Sequence, residues 1–595
     1  MGVVVTKAKK MLQSIARLAF CSLTVWLCAG CQAKSQEAAL RAKMAAEGKL
    51  FFSKPTIRPN PIERVPLVAI VDVDATTKVK PTMLIDDGVR QWEQPWPVAG
   101  ATRHRIAVMG MKPDRNHNIR IRLTADDGTE QTSAPLQFKT PPLPDNFPPL
   151  RVLTSKPDRM EPGLTMFAVN IWRDSVSILD YGFILMLDEL GEVVWYCEAK
   201  DRIADMRITK SGNILYQHGN YRYAYEIDVL GRDINRWVGT NLTMLPDKQS
   251  VPVAIDTTHH DIIELPNGNL ATLATEINKI ESFPTSEFDP EAEWKPASVV
   301  CDAVVEFDRE TGEIIDRFEL RNTLDPKRFG YISLGSFWKD KYNDLIGDFS
   351  RDWSHANAMV YLEDEDAMLI SFRHLDCVYK IDWQAKQIKW ILGDPDGWAP
   401  RFDKYLLKPK NPNFSWFYHQ HSPQVTPRGT LMLYDNGNYR ARPFEQAVMA
   451  PENRSRVLEL KIDEASMTFE TVFEYDGGSE DRFYCPFYSE ADHMPKTQNI
   501  LVTDGGHVEL KDGTPNDDVP GERQWARIFE ITRDNPPERV FEIGFDSGIG
   551  SKYGWSIYRA SRIPSLYKSF RIDPPAADED VELFARGRHI KRLAK

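Results

Sequence analysis

The sequence has few cysteines and lacks the short motifs of several large enzyme classes. Seven of its 595 residues are cysteine, and the four that follow residue 31 are widely separated. This is neither the pattern of a disulfide scaffold nor that of a zinc site with paired cysteines. The phosphate-binding loop GxxxxGK[ST] is absent, which argues against a nucleotide-dependent transferase. The zinc motif HExxH is absent too, and Cys485 does not begin the Cys-x-Pro-x-Arg motif that sulfatases convert to an aldehyde.

Positive charge is also in deficit. The formal net charge is -12, so the chain lacks the overall basic character with which nucleic-acid-binding proteins contact phosphates, and no nucleic-acid partner is expected. Hydrophobic residues make up 42% and charged residues 27% of the chain, as in ordinary globular proteins. The length is sufficient for two or more domains with a large core.

Residues 1–31 have the features of a signal peptide. Lys7 lies in a basic stretch, and an apolar stretch over 15–30 ends in Leu-Cys-Ala-Gly before Cys31. This ending resembles the bacterial lipoprotein box, in which Cys31 would carry the lipid. Ordinary signal cleavage and an uncleaved single-span anchor are the alternatives, and all three export the protein. We therefore expect a periplasmic protein, with a lipid at Cys31 as its possible outer-membrane anchor.

Alternating strand patterns predict a small domain near the N-terminus. Segments such as PLVAIVDVDA, KPTMLIDDG and RHRIAVMG indicate separate short strands of a β-sandwich over 66–140, which could also mediate a homodimer. A helical spacer rich in Ala, Lys and Glu is expected over 32–65 and a Pro-rich linker over 141–150. A charged tail occupies 571–595.

Residues 151–570 contain two kinds of hairpin that alternate strictly, six of each. The first kind has a polar turn followed by an apolar stretch, as in TKSGNILYQ and LPNGNLATL. The second is exemplified by EIDVLGRDI and KIDWQAKQIKW. Two hairpins make one four-stranded antiparallel unit, so six units predict an all-β fold with a six-bladed β-propeller, closed by a terminal strand in a shared blade. A large β-sandwich is the alternative, but it does not predict the alternation.

Three histidines begin three successive units. His260 and His421 each lie eight residues before the turn glycine of their unit, and His355 opens the matching strand of the unit between them. Because the first strand of each propeller unit lines the central channel, all three should point to one channel mouth. Arg373, on the next strand, should lie near His355. Imidazoles beside a guanidinium suit an anion, and one imidazole can act as a nucleophile.

Strand alternation adds two expectations about neighbouring histidines. His259 should point away from His260, whereas His419 and His421 should share a face. A metal site built from these histidines is an open alternative, although no well-placed carboxylate or thiolate accompanies them. The NGNYR segment at 436–440 is interpreted as a feature of the blade. Aromatic residues near the mouth could stack on a ligand or pack the blades: Trp353, Trp416, Phe417, Tyr418 and Tyr484.

Four segments resemble the bacterial arylsulfate sulfotransferases, exported enzymes that move a sulfuryl group between phenols. They are WSHANAMVYL, SFRH, KQIKWILGDPDGW and YHQHSPQVTPRGTLMLYDNGN. The resemblance runs over about 65–570 and includes the small β-domain before the propeller. The loop before the last segment lacks the cysteine pair that some members of the family carry there.

The resemblance implies a reaction and assigns roles to four residues. His421 would be the nucleophile, and His260, His355 and Arg373 would bind the sulfuryl group. An aryl sulfate would be the donor and a phenol the acceptor in a ping-pong reaction through a sulfohistidine, without a cofactor or metal. A metal-dependent hydrolase and a non-catalytic propeller that binds an anionic ligand are the alternative functions.

Overall fold

Nearly all regular structure in the computed structural model is β-strand. The structure describes residues 35–172, 181–199, 201–242, 249–479, 481–517, 521–551 and 553–575. Helices are short: α1 spans 35–46, α2 Lys339–Ile346 and α3 Leu566–Ser569. The predicted signal peptide over 1–31, its Cys31 and most of the predicted tail over 571–595 lie outside the described residues. Within them, no helix has the length and apolar character needed to span a membrane.

The chain divides into two units. The first contains the described residues up to Asn60 together with Val68–Pro141, and the second contains Pro61–Leu67 and the chain from Pro142 onwards. All seven strands of the first unit are joined in one sheet. These strands are β1 (Thr56–Pro59), β2 (Ala69–Asp86), β3 (Gln91–Pro95), β4 (Ala101–Val108), β5 (Asn116–Ala125), β6 (Glu130–Thr132) and β7 (Leu136–Lys139).

The first unit differs from the predicted pattern in two places. β2 is one strand of 18 residues, whereas the sequence predicted two strands there. The threonines between the two apolar stretches favour extended backbone, and a register shift between Asp74 and Val79 lets β2 leave β4 and pair with β5. The expectation of a helical spacer over 32–65 is wrong in its second half, because β1 already pairs with the start of β2.

The second unit contains six sheets of four or five strands among its described residues. Sheet I has β9 (Leu164–Trp172), β10 (Gly182–Leu187), β11 (Val193–Ala199) and β35 (Gly554–Ile563). Sheet II has β12 (Ile203–Ile208), β13 (Ile214–His218), β14 (Tyr223–Ile227), β15 (Asp233–Gly239) and β16 (Val251–Val253). Sheet III has β17 (His259–Glu264), β18 (Leu270–Phe283), β19 (Lys295–Phe307), β20 (Ile314–Glu319) and β21 (Ser350–Asp352).

The remaining sheets follow the same plan. Sheet IV has β22 (Ala356–Leu362), β23 (Ala367–Phe372), β24 (Cys377–Asp382) and β25 (Gln387–Gly393). Sheet V has β26 (Lys408–Pro409), β27 (His421–Val425), β28 (Leu431–Asp435), β29 (Arg456–Asp463) and β30 (Thr468–Tyr475). Sheet VI has β31 (Glu490–His493), β32 (Ile500–Glu509), β33 (Arg523–Ile531), β34 (Arg539–Asp546) and β8 (Leu150–Ser155).

Distant parts of the chain meet in sheets I and VI. β35 pairs antiparallel with β9 in sheet I, and β8 pairs antiparallel with β34 in sheet VI. β8 begins at Leu150, the last residue of the segment predicted as a linker. A strand from late in the chain thus completes the first sheet, and an early strand completes the last one.

One edge strand of each sheet contacts the edge strands of two other sheets. These strands, which we call the inner strands, are β12, β17, β22, β27, β31 and β35. Contacts join β12 to β17, β17 to β22, β22 to β27, β27 to β31, β31 to β35 and β35 back to β12. The six sheets therefore succeed one another in a cyclic order.

Central strands of two of these sheets are packed on both faces. All six residues of β10 are buried, and so are all six of β23. Their continuous apolar sequences, GFILML and AMLISF, are those of strands covered on two sides. The polar groups that do occur at the starts of the inner strands are consequently buried as well, and each needs a hydrogen-bonding partner.

Candidate active site

His421 begins inner strand β27, and its imidazole is oriented by a side-chain amide. Asn436 Oδ1 lies 2.7 Å from His421 Nδ1, and Asn436 Nδ2 donates to the carbonyl oxygens of Cys485 and Tyr488. Because the NH₂ group is used in this way, the atom facing the imidazole is the acceptor oxygen. The neutral ring therefore carries its proton on Nδ1, and Nε2 keeps a lone pair. The sequence analysis had interpreted Asn436 as a blade feature only.

His260 contacts its sequence neighbour, contrary to expectation. The Nδ1 atoms of His259 and His260 are 2.7 Å apart, and His259 Nε2 lies 3.2 Å from Asp302 Oδ1. The prediction that His259 points away from His260 is therefore wrong. His260 has a φ of +56° and the register shifts between His259 and Ile262; this local bulge interrupts the alternation of side chains.

His355 is held by a carboxylate. Its Nδ1 lies 2.6 Å from Asp352 Oδ2, and Asp352 Oδ1 accepts from Trp338 Nε1 at 3.1 Å. An ionised carboxylate only accepts hydrogen bonds, so His355 Nδ1 is the donor and Nε2 is available on the other side of the ring. The centroids of the His260 and His355 rings are 4.9 Å apart, which brings these two predicted site residues together.

Arg373 follows β23 directly, and a histidine orients its guanidinium. His374 Nδ1 lies 2.7 Å from the carbonyl oxygen of Asp352, and His374 Nε2 lies 2.7 Å from Arg373 Nη1. His374 therefore donates through Nδ1 and accepts through Nε2. A second guanidinium nitrogen donates to the Pro486 carbonyl oxygen at 3.3 Å. His374 stood in the SFRH segment, but sequence reasoning did not single it out.

His419 is oriented differently from His421. Its Nε2 lies 3.0 Å from the Tyr331 carbonyl oxygen, and its backbone N–H donates to Asp376 Oδ1 at 2.8 Å. The carbonyl oxygen of His419 lies 3.1 Å from His421 Nδ1. His419 precedes β27 and has a φ of +54°, so the two rings bond to different elements and do not form the ligand pair that a shared strand face would give.

Unusual backbone conformations cluster at these positions. His260, His355, His419 and Ser422 all have φ between +45° and +56°, a region that non-glycine residues seldom occupy. Each such residue costs of order 1–3 kcal/mol, and such strain concentrates at functional sites. The four residues lie at or beside the starts of three inner strands, where the unusual backbone conformation changes the direction of the side chains.

Burial and nearby cations keep the site histidines neutral. The pKa of His421 is lowered well below its usual value by burial and by the charge of Arg373. The pKa values of His260 and His355 are lowered in the same way, by burial first and then by neighbouring positive charge. Burial also raises the pKa of Asp352 to about 6. The site thus offers neutral imidazole nitrogens beside a guanidinium, an arrangement that suits an anion attacked by nitrogen.

A single arginine beneath the histidines contacts all five other inner strands. Arg559 on β35 reaches Asp205 Oδ1 at 2.9 Å, Asp261 Oδ2 at 3.3 Å and Glu490 Oε1 at 3.6 Å. It also donates to Ser422 Oγ at 3.0 Å and to the Asn357 carbonyl oxygen at 3.5 Å. A cavity of about 480 Å³ borders this network.

The aromatic rings beside the histidines are not those proposed from the sequence. Trp353 and Phe417 lie in hydrophobic cores, and Trp416 packs on Phe414 and Phe469. The hydroxyl groups of Tyr418 and Tyr484 bond to Asp394 and Asp517. The rings that contact site imidazoles include Tyr221, stacked on His260 with centroids 5.6 Å apart, Phe337, 5.0 Å from His355, and Tyr558, 6.2 Å from both His260 and His421.

A metal ion does not fit the histidine cluster well. Asp352, His355 and His374 each offer one ligand atom within 4.8 Å of the others. However, Nδ1 of each imidazole bonds to Asp352, and His374 Nε2 accepts from Arg373. A bound metal ion would have to displace these hydrogen bonds and lie beside a guanidinium charge, which opposes it.

Comparison with known proteins identifies the family of the chain. The family described as Arylsulfotransferase (ASST) matches residues 151–556, more than half of the chain. The chain belongs to the arylsulfotransferase family. The matched range includes His260, His355, Arg373 and His421 as well as the carboxylates and amides that orient them.

Two curated relatives carry the name arylsulfate sulfotransferase AssT. The protein from Escherichia coli O6:H1 is 26% identical over 379 residues, which cover 56% of this chain and 58% of that protein. The one from Lelliottia amnigena is 26% identical over 381 residues, covering 56% of this chain and 59% of that protein. The chain thus matches less than two thirds of the length of either relative.

Solved structures show only distant similarity. A protein of unknown function from Bacteroides caccae aligns with a TM-score of 0.34 and 10% identity, over 66% of this chain and 98% of that chain. An auxiliary nutrient binding protein from Bacteroides thetaiotaomicron aligns with a TM-score of 0.29 and 10% identity, over 84% of this chain and 100% of that chain.

Proposed function

We propose that the protein transfers a sulfuryl group from an aryl sulfate to a phenol through a sulfohistidine at His421. The observation that carries this proposal is the Asn436–His421 hydrogen bond, because it leaves the Nε2 lone pair of a neutral imidazole free to attack. Family membership and the names of the two relatives support the class of reaction.

The reaction divides into two displacements. In the first, His421 Nε2 attacks sulfur, the bond from sulfur to the aryl oxygen breaks, and the phenol leaves. In the second, the acceptor phenol attacks sulfur and the imidazole leaves. Such transfers have loose transition states with charge on the peripheral oxygens. Arg373, His260 and His355 stabilise that charge by hydrogen bonds that strengthen as it develops.

The site supplies the binding energy without a metal ion or an organic cofactor in this proposal. Arg373 provides a fixed positive charge, and the paired histidines provide directed nitrogens. Tyr221, Phe337 and Tyr558 offer ring faces on which phenols can stack. A water molecule in place of the acceptor would give hydrolysis, so the acceptor dependence of turnover separates transferase from hydrolase.

The test is an adduct measurement combined with kinetics. Purified, EDTA-treated protein is incubated with 4-nitrophenyl sulfate, with and without phenol, and analysed by intact mass. We expect phenol-stimulated release of 4-nitrophenol and a sulfuryl adduct that is absent from His421→Ala. Activity lost on chelation and restored by zinc would instead support the metal-dependent hydrolase. Binding without turnover or adduct would support the non-catalytic module.

We further propose that sheets I to VI are the blades of a six-bladed β-propeller. The cyclic order of the inner strands and the strand exchange in sheets I and VI support it. The β-sandwich proposed for the first unit is supported by its strand content and by the two-way pairing of β2. A crystal structure tests both: blades around one axis are expected, and two stacked sheets would contradict the propeller.

Export and membrane attachment are proposed from the sequence of residues 1–31. The expected location is the periplasm, with a lipid on Cys31 as the anchor, and the first unit is the proposed dimerisation element. Cell fractionation of the full chain and Cys31→Ala tests the anchor. Release of the variant into the soluble periplasmic fraction is expected, and unchanged membrane association would contradict lipidation. Light scattering of the released variant tests the dimer, which a monomeric mass would contradict.

A further inference from the structure

The reaction requires a proton that the nucleophile cannot supply. The first phenol leaves as an anion and must be protonated, and the second must lose a proton as it attacks. His421 donates its only N–H to Asn436, so the proton must come from another group. This inference rests on the proposed function and concerns the same site.

Two short contacts join three buried groups, the last of which belongs to the site. Asp302 Oδ1 is 3.2 Å from His259 Nε2, and His259 Nδ1 is 2.7 Å from His260 Nδ1. Asp302 is fixed by Ser354 Oγ and by the N–H of Ala356, each 2.6 Å from its Oδ2. His259 Nε2 makes no hydrogen bond among the described residues, so Asp302 acts on it as a nearby negative charge. With the proton of the neutral His259 ring on Nε2, Nδ1 accepts from His260 Nδ1, and His260 Nε2 is left with a lone pair.

We infer that Asp302, His259 and His260 form a proton relay in which His260 exchanges a proton with the phenol oxygen. His260 is the catalytic acid and base, and His259 and Asp302 are positioning residues: His259 holds the proton between the two steps, and the Asp302 carboxylate stabilises its charge. No comparison assigns either positioning residue, and the sequence analysis placed His259 on the wrong face.

The proton balance closes over one cycle. In the loaded relay, His259 carries protons on both nitrogens beside ionised Asp302, and His260 carries one on Nε2. When the bond from sulfur to the aryl oxygen breaks, the phenolate takes the Nε2 proton, and the Nδ1 proton of His259 moves to His260 Nδ1. The acceptor phenol later returns a proton to His260 Nε2, and the Nδ1 proton moves back to His259. No other reactant is consumed.

His260, unlike His355, is hydrogen-bonded to a second imidazole that can take its proton. Among the neighbouring charges, Arg373 lowers the pKa of His355 most. The pKa of His260 is lowered less by Arg373 than by each of the other three histidines. A proton that moves from His260 to His259 places a positive charge on the ring next to the Asp302 carboxylate. His355 has no second ring to which its proton could move. The titratable or charged groups around His260 in the described part of the chain include Arg202, Tyr221, His259, His355, Arg373, His421, Tyr488 and Tyr558.

The test compares donors whose phenols differ in acidity. Formation of the His421 adduct is followed in single turnovers by quenched mass analysis, with phenyl sulfate and with 4-nitrophenyl sulfate. The phenol that leaves phenyl sulfate resembles the tyrosine side chain, with a pKa of about 10, and needs the proton, whereas 4-nitrophenol is a much better leaving group. General acid catalysis contributes roughly 10²–10⁴-fold to a rate.

We expect His259→Gln and Asp302→Asn to slow adduct formation from phenyl sulfate by roughly 10²-fold or more, and to slow it far less from 4-nitrophenyl sulfate. His104→Gln, at a buried histidine of the first unit, is the matched control and should affect neither donor. Thermal unfolding of each variant identifies any loss of folded protein, which would reduce both rates equally.

Two results would overturn the relay while leaving the proposed function intact. One is an equal loss with both donors in folded His259→Gln and Asp302→Asn. The other is selective loss with phenyl sulfate in His355→Gln but not in the relay variants. If the wild-type protein forms no adduct with either donor, the proposed function itself fails, and the wild-type measurement alone shows this.

Discussion

Asn436 presents its amide oxygen to His421, at 2.7 Å from Nδ1, while two carbonyl oxygens hold its NH₂ group. The amide thereby sets both the tautomer and the direction of the imidazole. Asn436→Leu removes this hydrogen bond at similar side-chain size. We expect adduct formation to fall by roughly 10²-fold, as for other small misplacements of reacting groups. Intact-mass kinetics measures it; an unchanged rate would mean that the ring is aimed by other contacts.

Arg373→Lys separates charge from geometry. Lysine keeps a positive charge but cannot donate through a planar fork. We expect a loss of about 10²–10³ in kcat, the usual effect of removing a donor that acts on developing charge. His374→Gln, which replaces the side chain that accepts from the guanidinium, should have a smaller effect in the same direction. Steady-state kinetics with 4-nitrophenyl sulfate checks both, and full activity of the lysine variant would contradict the role of the fork.

The acid limit of activity should report on Asp352. Its pKa is raised to about 6 by burial, so the carboxylate that holds His355 loses its charge as pH falls through 6. His421 does not limit activity there, because its pKa is lowered and it stays neutral. We expect kcat/KM to decline below pH 6 in the wild type. In Asp352→Asn, kcat/KM should be lower at all pH values and should not decline below pH 6. The same decline in the variant would mean that another group causes it.

Arg559 should contribute strongly to stability. Arg559→Met leaves the buried carboxylates of Asp205 and Asp261 with one cation fewer, and breaking a buried pair from one side costs about 3–5 kcal/mol. Arg159, whose side chain is 48% exposed beside Glu538, is the control, because such surface pairs contribute about 0–1 kcal/mol. Urea unfolding compares Arg559→Met with Arg159→Met, and equal midpoints would contradict the role of Arg559.

The sequence predicted the strand content and the alternation of hairpins because both depend on local patterns. The turn in TKSGNILYQ joins β12 to β13, and KIDWQAKQIKW joins β24 to β25. The sequence predicted that a terminal strand would complete one of the sheets, but it did not predict which strand this would pair with. β35 completes sheet I by pairing with β9, a contact between residues nearly 400 positions apart that no local pattern records.

The sequence predicted the site residues that occupy equivalent positions in the repeat. It did not predict side-chain directions where the backbone is not regular extended strand. His260, His355 and His421 stood at equivalent repeat positions, and the structure brings His260 and His355 within 4.9 Å. His259 was misplaced because alternation assumes regular extended backbone, whereas His260 has a φ of +56°. Asn436 carried no signal of its own, since its role appears only when β28 ends beside His421.

The position of Arg559 late in the sequence has a consequence for biogenesis. Its partner Asp205 is made 354 residues earlier, which at 5–20 residues per second corresponds to about 20–70 s of synthesis. During that interval Asp205 and Asp261 have Arg207 as a partner but lack Arg559, the second arginine that pairs with them in the finished protein. The buried ion-pair network is therefore completed only after residue 559 has been made, and a ribosome that stalls before residue 559 leaves a product in which these carboxylates lack that partner.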